Sequence, residues 1–195
     1  MTSRRLSQAI SEGEGISVIA RVDGPEAAQV AEEQGADAVA VLVSIESLRE
    51  STRLPILWAL HGDVQDAKSD GADAYLIGLV PLDEAEEGYL ENRYRAATDA
   101  GLECVFEIGN STSLERVLEQ VDPEVILLNG GGPHPDALEN LLELLSEVPA
   151  GKLVIAELEA PTREHVRELE RVGVDAVLVR TANVEGLVEA EPPDV

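Results

Sequence analysis

The sequence has little of several residue types, and each shortage excludes a class of protein. One of its 195 residues is cysteine, Cys104, which excludes an internal disulfide and a cysteine-based zinc site. Aromatic residues make up 3% of the chain, so we expect a core of Val, Leu, Ile and Ala. No apolar run approaches the roughly 18 residues that span a bilayer, and the N-terminal arginines are not followed by an apolar signal segment. We therefore expect a cytoplasmic protein.

Positive charge is also scarce. The chain has 39 acidic and 14 basic residues, a formal charge of −25, and its lysines are Lys68 and Lys152. A charge of this size repels nucleic acid and anionic membranes, so neither is an expected partner. The acidic residues are spread over the whole chain. An acid-rich, lysine-poor composition is typical of halophilic proteins that work in concentrated salt.

One short phrase occurs three times, as GADAVAVLVS at 35–44, GADAYLIGLV at 71–80 and GVDAVLVRTA at 173–182. Each copy follows a polar segment with helical character and opens an apolar segment. Glycine favours the left-handed conformation that ends a helix, and a nearly all-apolar strand is typical of a parallel sheet covered on both faces. Each phrase therefore predicts a junction between a helix and a buried strand.

The same alternation continues along the chain and predicts eight strands. They are residues 16–22, 36–43, 54–60, 74–80, 102–109, 124–130, 152–158 and 175–181. Helical segments lie between them, and Thr112 with Glu115 has the spacing of a capping box at the start of one helix. Strands that alternate with helices predict a parallel sheet with helices outside it.

A closed (β/α)8 barrel and an open, doubly wound sheet both satisfy this alternation. Open sheets usually have fewer strands and often a glycine-rich first turn, whereas the first strand here runs into RVDGPE without GxGxxG. We therefore predict an α/β fold, a compact (β/α)8 TIM barrel in one domain, although such barrels usually have about 250 residues. Residues 1–15 are expected to lead into the barrel, 16–188 to form it and 189–195 to be an acidic tail.

The reactive groups of such barrels lie at the carboxyl ends of the strands. Side-chain alternation predicts that charged or amide residues of five strands point inward at that end. These are Arg21, Glu107, Asn129, Glu157 and Arg180. His61 follows the third strand, and Thr181 ends the eighth. Gly130 and Gly131 follow the sixth strand, and their backbone N–H groups could hold an anion.

Glu107 and Glu157 have two interpretations that the sequence leaves open. They could be an acid–base pair whose pKa values are driven apart by burial. They could instead belong to an ion cluster in which Arg21, Asp23 and Arg180 neutralise most of their charge. In that case the polar residues at the mouth would be structural.

The histidines give weaker signals. His61 is either a proton carrier near neutral pH or a polar surface residue. His134 and Asp136 could bind a metal, but two residues are few, and Asp136 has the simpler role of capping a helix. We expect no metal and no cofactor.

Five segments carry a resemblance to a known family. They are SVIARVDGP, PILWAL, LECVFEIGNSTSLERVLE, EVILLNG and KLVIAELEAPTREHVRELERVGVDAVLVRTANV. Together they resemble the indole-3-glycerol-phosphate synthase family of tryptophan biosynthesis, which are ribulose-phosphate-binding TIM barrels. The resemblance extends from about residue 16 to about residue 188 and lacks the family's N-terminal extension. It implies the barrel fold and a lyase ancestry.

The resemblance also implies roles for single residues. The family's general base on strand 5 falls on Glu107, its strand-6 asparagine on Asn129 and its strand-7 glutamate on Glu157. The strand-3 lysine, the general acid of ring closure, falls on Ala59 and is therefore lost. Further departures concern charge and phosphate binding, and they affect Arg21, Asp23, Gly131, Leu158, Glu159, Arg180 and Thr181.

Two functions follow from these residues. The chain could be a lyase or isomerase that binds a small anionic or phosphorylated molecule near Arg21, Arg180 and Thr181 and uses Glu107 as base. It could instead be a catalytically silent relative that acts as a binding or scaffold protein. In either case we expect a remodelled active site and a protein that is not an efficient synthase. The missing N-terminal extension leaves one face of the barrel less covered, which permits a homodimer.

The charge of −25 predicts that salt stabilises the fold, because mobile ions screen the repulsion between carboxylates. We expect the melting temperature to rise as KCl increases from about 0.05 M to about 1 M, where the Debye length is about 3 Å. Thermal unfolding followed by circular dichroism checks this, and a melting temperature that does not change over this range would contradict it.

Overall fold

Eight parallel strands close into a ring in which the last strand pairs with the first. The structure, a computed structural model, describes residues 4–13, 15–60, 62–78, 88–131, 136–159, 161–180 and 184–187, with Arg180 as backbone alone. The strands are β1 (Ser17–Val22), β2 (Ala38–Val41), β3 (Ile56–Trp58), β4 (Ala74–Ile77), β5 (Glu103–Ile108), β6 (Val125–Asn129), β7 (Leu153–Glu157) and β8 (Ala176–Arg180). Each strand lies inside its predicted range.

Helices precede, separate and follow the strands. In the described ranges they are α1 (Arg5–Ser11), α2 (Pro25–Glu33), α3 (Leu48–Ser51), α4 (Val64–Ser69), α5 (Tyr89–Asp99), α6 (Ser111–Gln120), α7 (Ala137–Leu145), α8 (Arg163–Arg171) and α9 (Val184–Leu187). The sequence pattern predicts α2 to α8 and misses α1 and α9. The closed ring confirms the (β/α)8 TIM barrel and excludes the open sheet.

The core has two layers, separated by the strands. Inside the ring, alternate strand residues pack against one another, and the apolar members of this inner layer are all aliphatic. They include Ile19, Ala40, Leu57, Val105, Leu127, Ile155 and Leu178. The opposite faces of the strands pack against the helices, and Trp58 and Phe106 are buried in that outer layer. Small and medium aliphatic side chains thus fill the ring, as the shortage of aromatic residues predicts.

The repeated phrase begins three of the strands. Its glycine has a positive φ in each copy, 86° at Gly35, 77° at Gly71 and 90° at Gly173. Residues with a Cβ atom rarely adopt this conformation, so glycine is the residue that can end the helix here and turn the chain into the strand. The predicted helix-to-strand junctions are confirmed.

The aspartate of the phrase ties its strand to the preceding one. A carboxylate oxygen of the aspartate accepts a hydrogen bond from the backbone N–H of one residue in the preceding strand. The backbone N–H of the aspartate donates to the carbonyl oxygen of that same strand residue. The pairs are Asp37 with Val18 (2.8 Å to the carboxylate), Asp73 with Ile56 (3.0 Å) and Asp175 with Val154 (2.7 Å). We call these three residues the strand-base aspartates.

Helix α1 closes the amino-terminal end of the barrel. Leu6 and Ile10 are buried among the interior side chains. Glu103, the first residue of β5, accepts hydrogen bonds from the backbone N–H groups of Leu6 at 2.7 Å and Ser7 at 3.0 Å. A carboxylate at a helix N-terminus satisfies donors that have no partner within the helix. The buried charge of Glu103 is thereby hydrogen-bonded.

Asp73 connects α1 with the outer layer of helices. In addition to the bond from Ile56, its carboxylate accepts hydrogen bonds from Arg5 at 3.0 and 3.1 Å and from Arg49 at 2.9 Å. Arg49 also donates to the carbonyl oxygen of Leu54 at 2.8 Å. One nearly buried carboxylate therefore holds α1, α3 and the start of β3 together.

A helix that crosses a bilayer needs about 20 predominantly apolar residues. None of the described helices is both long enough and apolar enough to cross a membrane.

We expect Asp73→Asn to lower the free energy of unfolding by about 2 kcal/mol, because it removes two ion pairs from a nearly buried carboxylate. Asp37→Asn is the matched control. Burial raises the pKa of Asp37 more than the bond from Val18 lowers it. Ionised Asp37 therefore costs stability at pH values above the usual aspartate pKa, and asparagine removes that cost while keeping an acceptor oxygen.

Urea unfolding near neutral pH measures both variants. Asp37→Asn should be as stable as the wild type or more stable, whereas Asp73→Asn should be clearly less stable. An equal decrease in the free energy of unfolding in the two variants would contradict the stabilising role of the ion pairs of Asp73.

Candidate active site

The carboxyl end of the barrel contains a cavity of about 510 Å³. Arg21 of β1, Glu107 of β5, Asn129 of β6 and Glu157 of β7 line this cavity. Each lies two residues beyond an interior aliphatic residue of its own strand, so the strand alternation turns it inward. Of the residues that the structure describes, Gly109, Asn110, Ser113, Gly131 and Glu159 also line the cavity. Four strands thus bring their polar end residues to one opening.

Asn129 links Glu107 to the loop after β6. Its Nδ2 atom donates a hydrogen bond to Oε1 of Glu107 at 3.0 Å, and its Oδ1 atom accepts one from the backbone N–H of Gly131 at 2.9 Å. Because a backbone N–H can only donate, the oxygen of the amide must face Gly131, and the NH2 group must face Glu107. The orientation of the Asn129 side chain is therefore fixed from both sides.

Glu157 is the second carboxylate of the cavity and the direct register partner of Asn129. Burial raises the pKa of Glu157, and the negative charges of Glu107 and Glu159 raise it further, whereas the positive charge of Arg21 lowers it. The environment therefore favours the protonated form of Glu157 more than water does. Such a group can accept and release a proton nearer to neutral pH than an ordinary glutamate.

The two glycines after β6 have different surroundings. Gly130 is buried, and a Cβ atom at this position would lie 2.6 Å from the carbonyl oxygen of Ala137, so helix α7 can approach the strand only where there is no side chain. Gly131 has a φ of 91° and open space around it, but its N–H is engaged with Asn129. An anion bound by Gly131 would have to replace that bond, and the anion-binding role of both glycines stays a prediction.

Asn110 and Ser113 line the cavity from the start of α6. The Asn110 side chain accepts from the Ser113 backbone N–H at 2.9 Å, and the Ser113 hydroxyl accepts from the Asn110 N–H at 3.2 Å. This reciprocal pair is the capping box of α6. The sequence-based assignment of the capping box to Thr112 and Glu115 is wrong, because the helix begins directly after Asn110. Serine in place of the usual Glu or Gln at the third position hides the motif.

A second cavity of about 260 Å³ lies beside the first, between the start of α6 and the middle and end of α7. The two cavities share Gly109, Asn110, Asn129 and Gly131 in their linings. Additional lining comes from Ser111, Asn140, Glu143, Leu144 and Glu147. The opening therefore has room for a ligand that extends sideways from the barrel axis.

Four residues that the sequence analysis considers, His61, His134, Arg180 and Thr181, have side chains outside the described part of the chain. His61 and Thr181 lie outside the described residues, as does His134. Arg180 ends β8 in register with Arg21, and the structure describes only the backbone of Arg180. The roles predicted for His61, Arg180 and Thr181 stay predictions.

Nucleophilic chemistry by an amine or a thiol has no support at this opening. Lys68 lies in the last turn of α4, and Lys152 precedes β7, where its Nζ atom lies 2.5 Å from Asp122 at the opposite end of the barrel. Burial raises the pKa of Cys104 to about 11, which keeps its thiol protonated. Within the described ranges, no group of three or more His, Cys, Asp or Glu side chains is arranged to hold a metal ion.

A model of the indole-3-glycerol phosphate synthase family matches residues 60–187, which is more than half of the chain. The chain belongs to this family. The indole-3-glycerol phosphate synthase of Geobacillus thermodenitrificans is 30% identical over 183 residues, which cover 83% of this chain and 69% of that protein. The synthase of Geobacillus sp. (strain WCH70) is 29% identical over 169 residues and 78% of this chain.

The chain spans 64% of the length of the WCH70 synthase, so it corresponds to about two thirds of a full-length family member. Among solved structures, thiamine phosphate pyrophosphorylase from Pyrococcus furiosus has a TM-score of 0.64 at 20% identity and covers 88% of this chain and 90% of its own. This likeness concerns the fold alone. Sequence similarity therefore establishes that the chain belongs to the synthase family. Sequence and structure together establish the barrel fold.

Proposed function

We propose that the barrel mouth binds a small anionic molecule, such as a phosphorylated sugar, and that the chain is not an efficient synthase of its family. The observation that carries this proposal is the cavity of about 510 Å³ that Arg21, Glu107, Asn129 and Glu157 line from four strands. Cavities of this size suit small ligands, and a few convergent polar groups orient them.

Arg21 supplies the positive charge for an anion. It lies on the inward side of β1, and its charge lowers the pKa of Glu157, so the guanidinium acts inside the cavity. Its register partner at the end of β8 is a second arginine, Arg180. Guanidinium groups bind carboxylates and phosphates through two parallel hydrogen bonds, which a lysine cannot form.

The loss of the family's strand-3 lysine argues against the synthase reaction. Ala59 occupies that position, directly after β3 and two residues beyond the interior residue Leu57. An alanine methyl group can neither donate a proton nor balance the charge of a phosphate. Lys68 and Lys152 lie away from the cavity and cannot replace the missing amine.

Proton abstraction by Glu107 is the second candidate function, and the bond from Asn129 favours it. This bond holds one carboxylate oxygen in a fixed place at the cavity wall. A carboxylate held beside a carbon that neighbours a carbonyl group can remove a proton from that carbon. The reaction class would then be that of a lyase or isomerase acting on a phosphorylated molecule.

Thermal-shift measurements in about 1 M KCl test the binding proposal, because salt suppresses nonspecific attraction between charges. Ribulose 5-phosphate should raise the melting temperature, and unphosphorylated ribulose should not. Arg21→Gln should abolish the shift, Arg21→Lys should keep part of it, and Arg171→Gln, at the end of α8, should behave as the wild type. Equal shifts with both sugars, or no shift with the phosphate, would overturn the proposal.

Solvent exchange tests the role of Glu107. In D2O, a base at the cavity should exchange the protons next to the carbonyl of ribulose 5-phosphate, which proton NMR follows directly. Glu107→Gln should slow this exchange by about a hundredfold or more, whereas Glu115→Gln on the exposed face of α6 should not change it. Exchange at the wild-type rate in Glu107→Gln, or exchange no faster than without protein, would exclude Glu107 as base.

A further inference from the structure

Negative charge at the cavity conflicts with the binding of an anion. Glu107, Glu157 and Glu159 line it, and Arg21 is the arginine whose described side chain faces them. We propose that an anion binds in this cavity together with one proton, which Glu157 takes up from solvent. This inference rests on the proposed function and concerns how the same site tolerates its ligand.

The carboxylate of Glu107 already has a hydrogen-bond donor inside the cavity. The NH2 group of Asn129 donates to its Oε1 atom at 3.0 Å, and the bond between Gly131 N–H and Asn129 Oδ1 prevents the amide from turning over. A donated hydrogen bond stabilises the negative charge of a carboxylate. The Asn129 amide therefore assists Glu107 and gives no such help to Glu157.

Glu157 has the surroundings of a proton acceptor. The charged groups that act on it are Glu107 from β5, Glu159 beyond its own strand and Arg21 from β1. Its strand neighbours are the neutral residues Asn129 on β6 and Leu178 on β8. Burial and the two glutamates already raise the pKa of Glu157, with Arg21 acting against them. A bound anion adds negative charge nearby and raises the pKa of Glu157 further.

Uptake of one proton on binding makes the affinity for the anion depend on pH. One proton leaves the solvent when the anion enters and returns when the anion leaves, and no covalent bond to the ligand forms or breaks. Affinity must then fall as the pH rises, with a limit of about tenfold for each pH unit when one proton is taken up. Neutralised Glu157 leaves Arg21 more available to the anion.

Sulfate is the probe that separates this proton from protons on the ligand, because sulfate remains a dianion between about pH 5 and about pH 8. Isothermal titration at constant KCl, in pairs of buffers with different ionisation enthalpies, measures affinity and proton uptake together. The wild type should bind sulfate more tightly at the lower pH and take up a proton. Glu157→Gln should bind at the higher pH as tightly as the wild type does at the lower pH, without proton uptake.

Glu159→Gln is the matched control, since it removes a carboxylate from the same cavity. It should bind sulfate more tightly than the wild type but still take up a proton. Fluorescence of the buried Trp58 checks that both variants are folded. Binding by the wild type without proton uptake, or unchanged uptake in Glu157→Gln, would overturn the inference and leave the proposed function intact. Absence of sulfate binding at every pH would also overturn the inference, and the ribulose 5-phosphate measurement would then decide the proposed function by itself.

Discussion

The fixed register between neighbouring strands is the constraint on which the site depends. Side chains alternate along a strand, so a slip of one residue would turn the polar residue at its end away from the cavity. Asn129 and Glu157 are register partners, and Arg21 and Arg180 are another pair. At the opposite end of the barrel, the strand-base aspartates tie three other pairs of neighbouring strands, β1 to β2, β3 to β4 and β7 to β8, through backbone groups of the preceding strand. The glycine and aspartate that open each copy of the recurring phrase therefore stabilise the ring from the end opposite the cavity.

Acidic residues have three different roles in this chain. Asp73 and Glu103 are structural, since they hold α1 against the base of the barrel through arginine and backbone donors. Glu107 and Glu157 face the cavity, where their charges act on each other. Many of the remaining acids are exposed and make up most of the charge of −25. The effect on stability of substituting an acidic residue to reduce that charge would therefore depend strongly on which residue is substituted.

Much of the fold follows from the sequence, because apolar segments of the right length alternate with polar helical ones. The inward positions of Glu107, Asn129 and Glu157 follow from counting residues along predicted strands. Helix α1 does not follow, because its seven residues mix polar and apolar types and are ordered by contacts with β5 and Asp73, which are distant in sequence. Hydrogen-bond partners are equally hidden, and the bond between Asn129 and Gly131 appears only once the loop geometry is known.

The proposed function depends on the meeting of Glu107, Asn129 and Glu157 in one cavity. A crystal structure determined near neutral pH in about 1 M KCl, where salt screens the repulsion between exposed carboxylates, tests this most directly. We predict that Asn129 lies within hydrogen-bond distance of both Glu107 and the Gly131 backbone N–H, with Glu157 facing the same opening. A structure in which Asn129 points away from Glu107, or in which the two glutamates open onto separate surfaces, would contradict it.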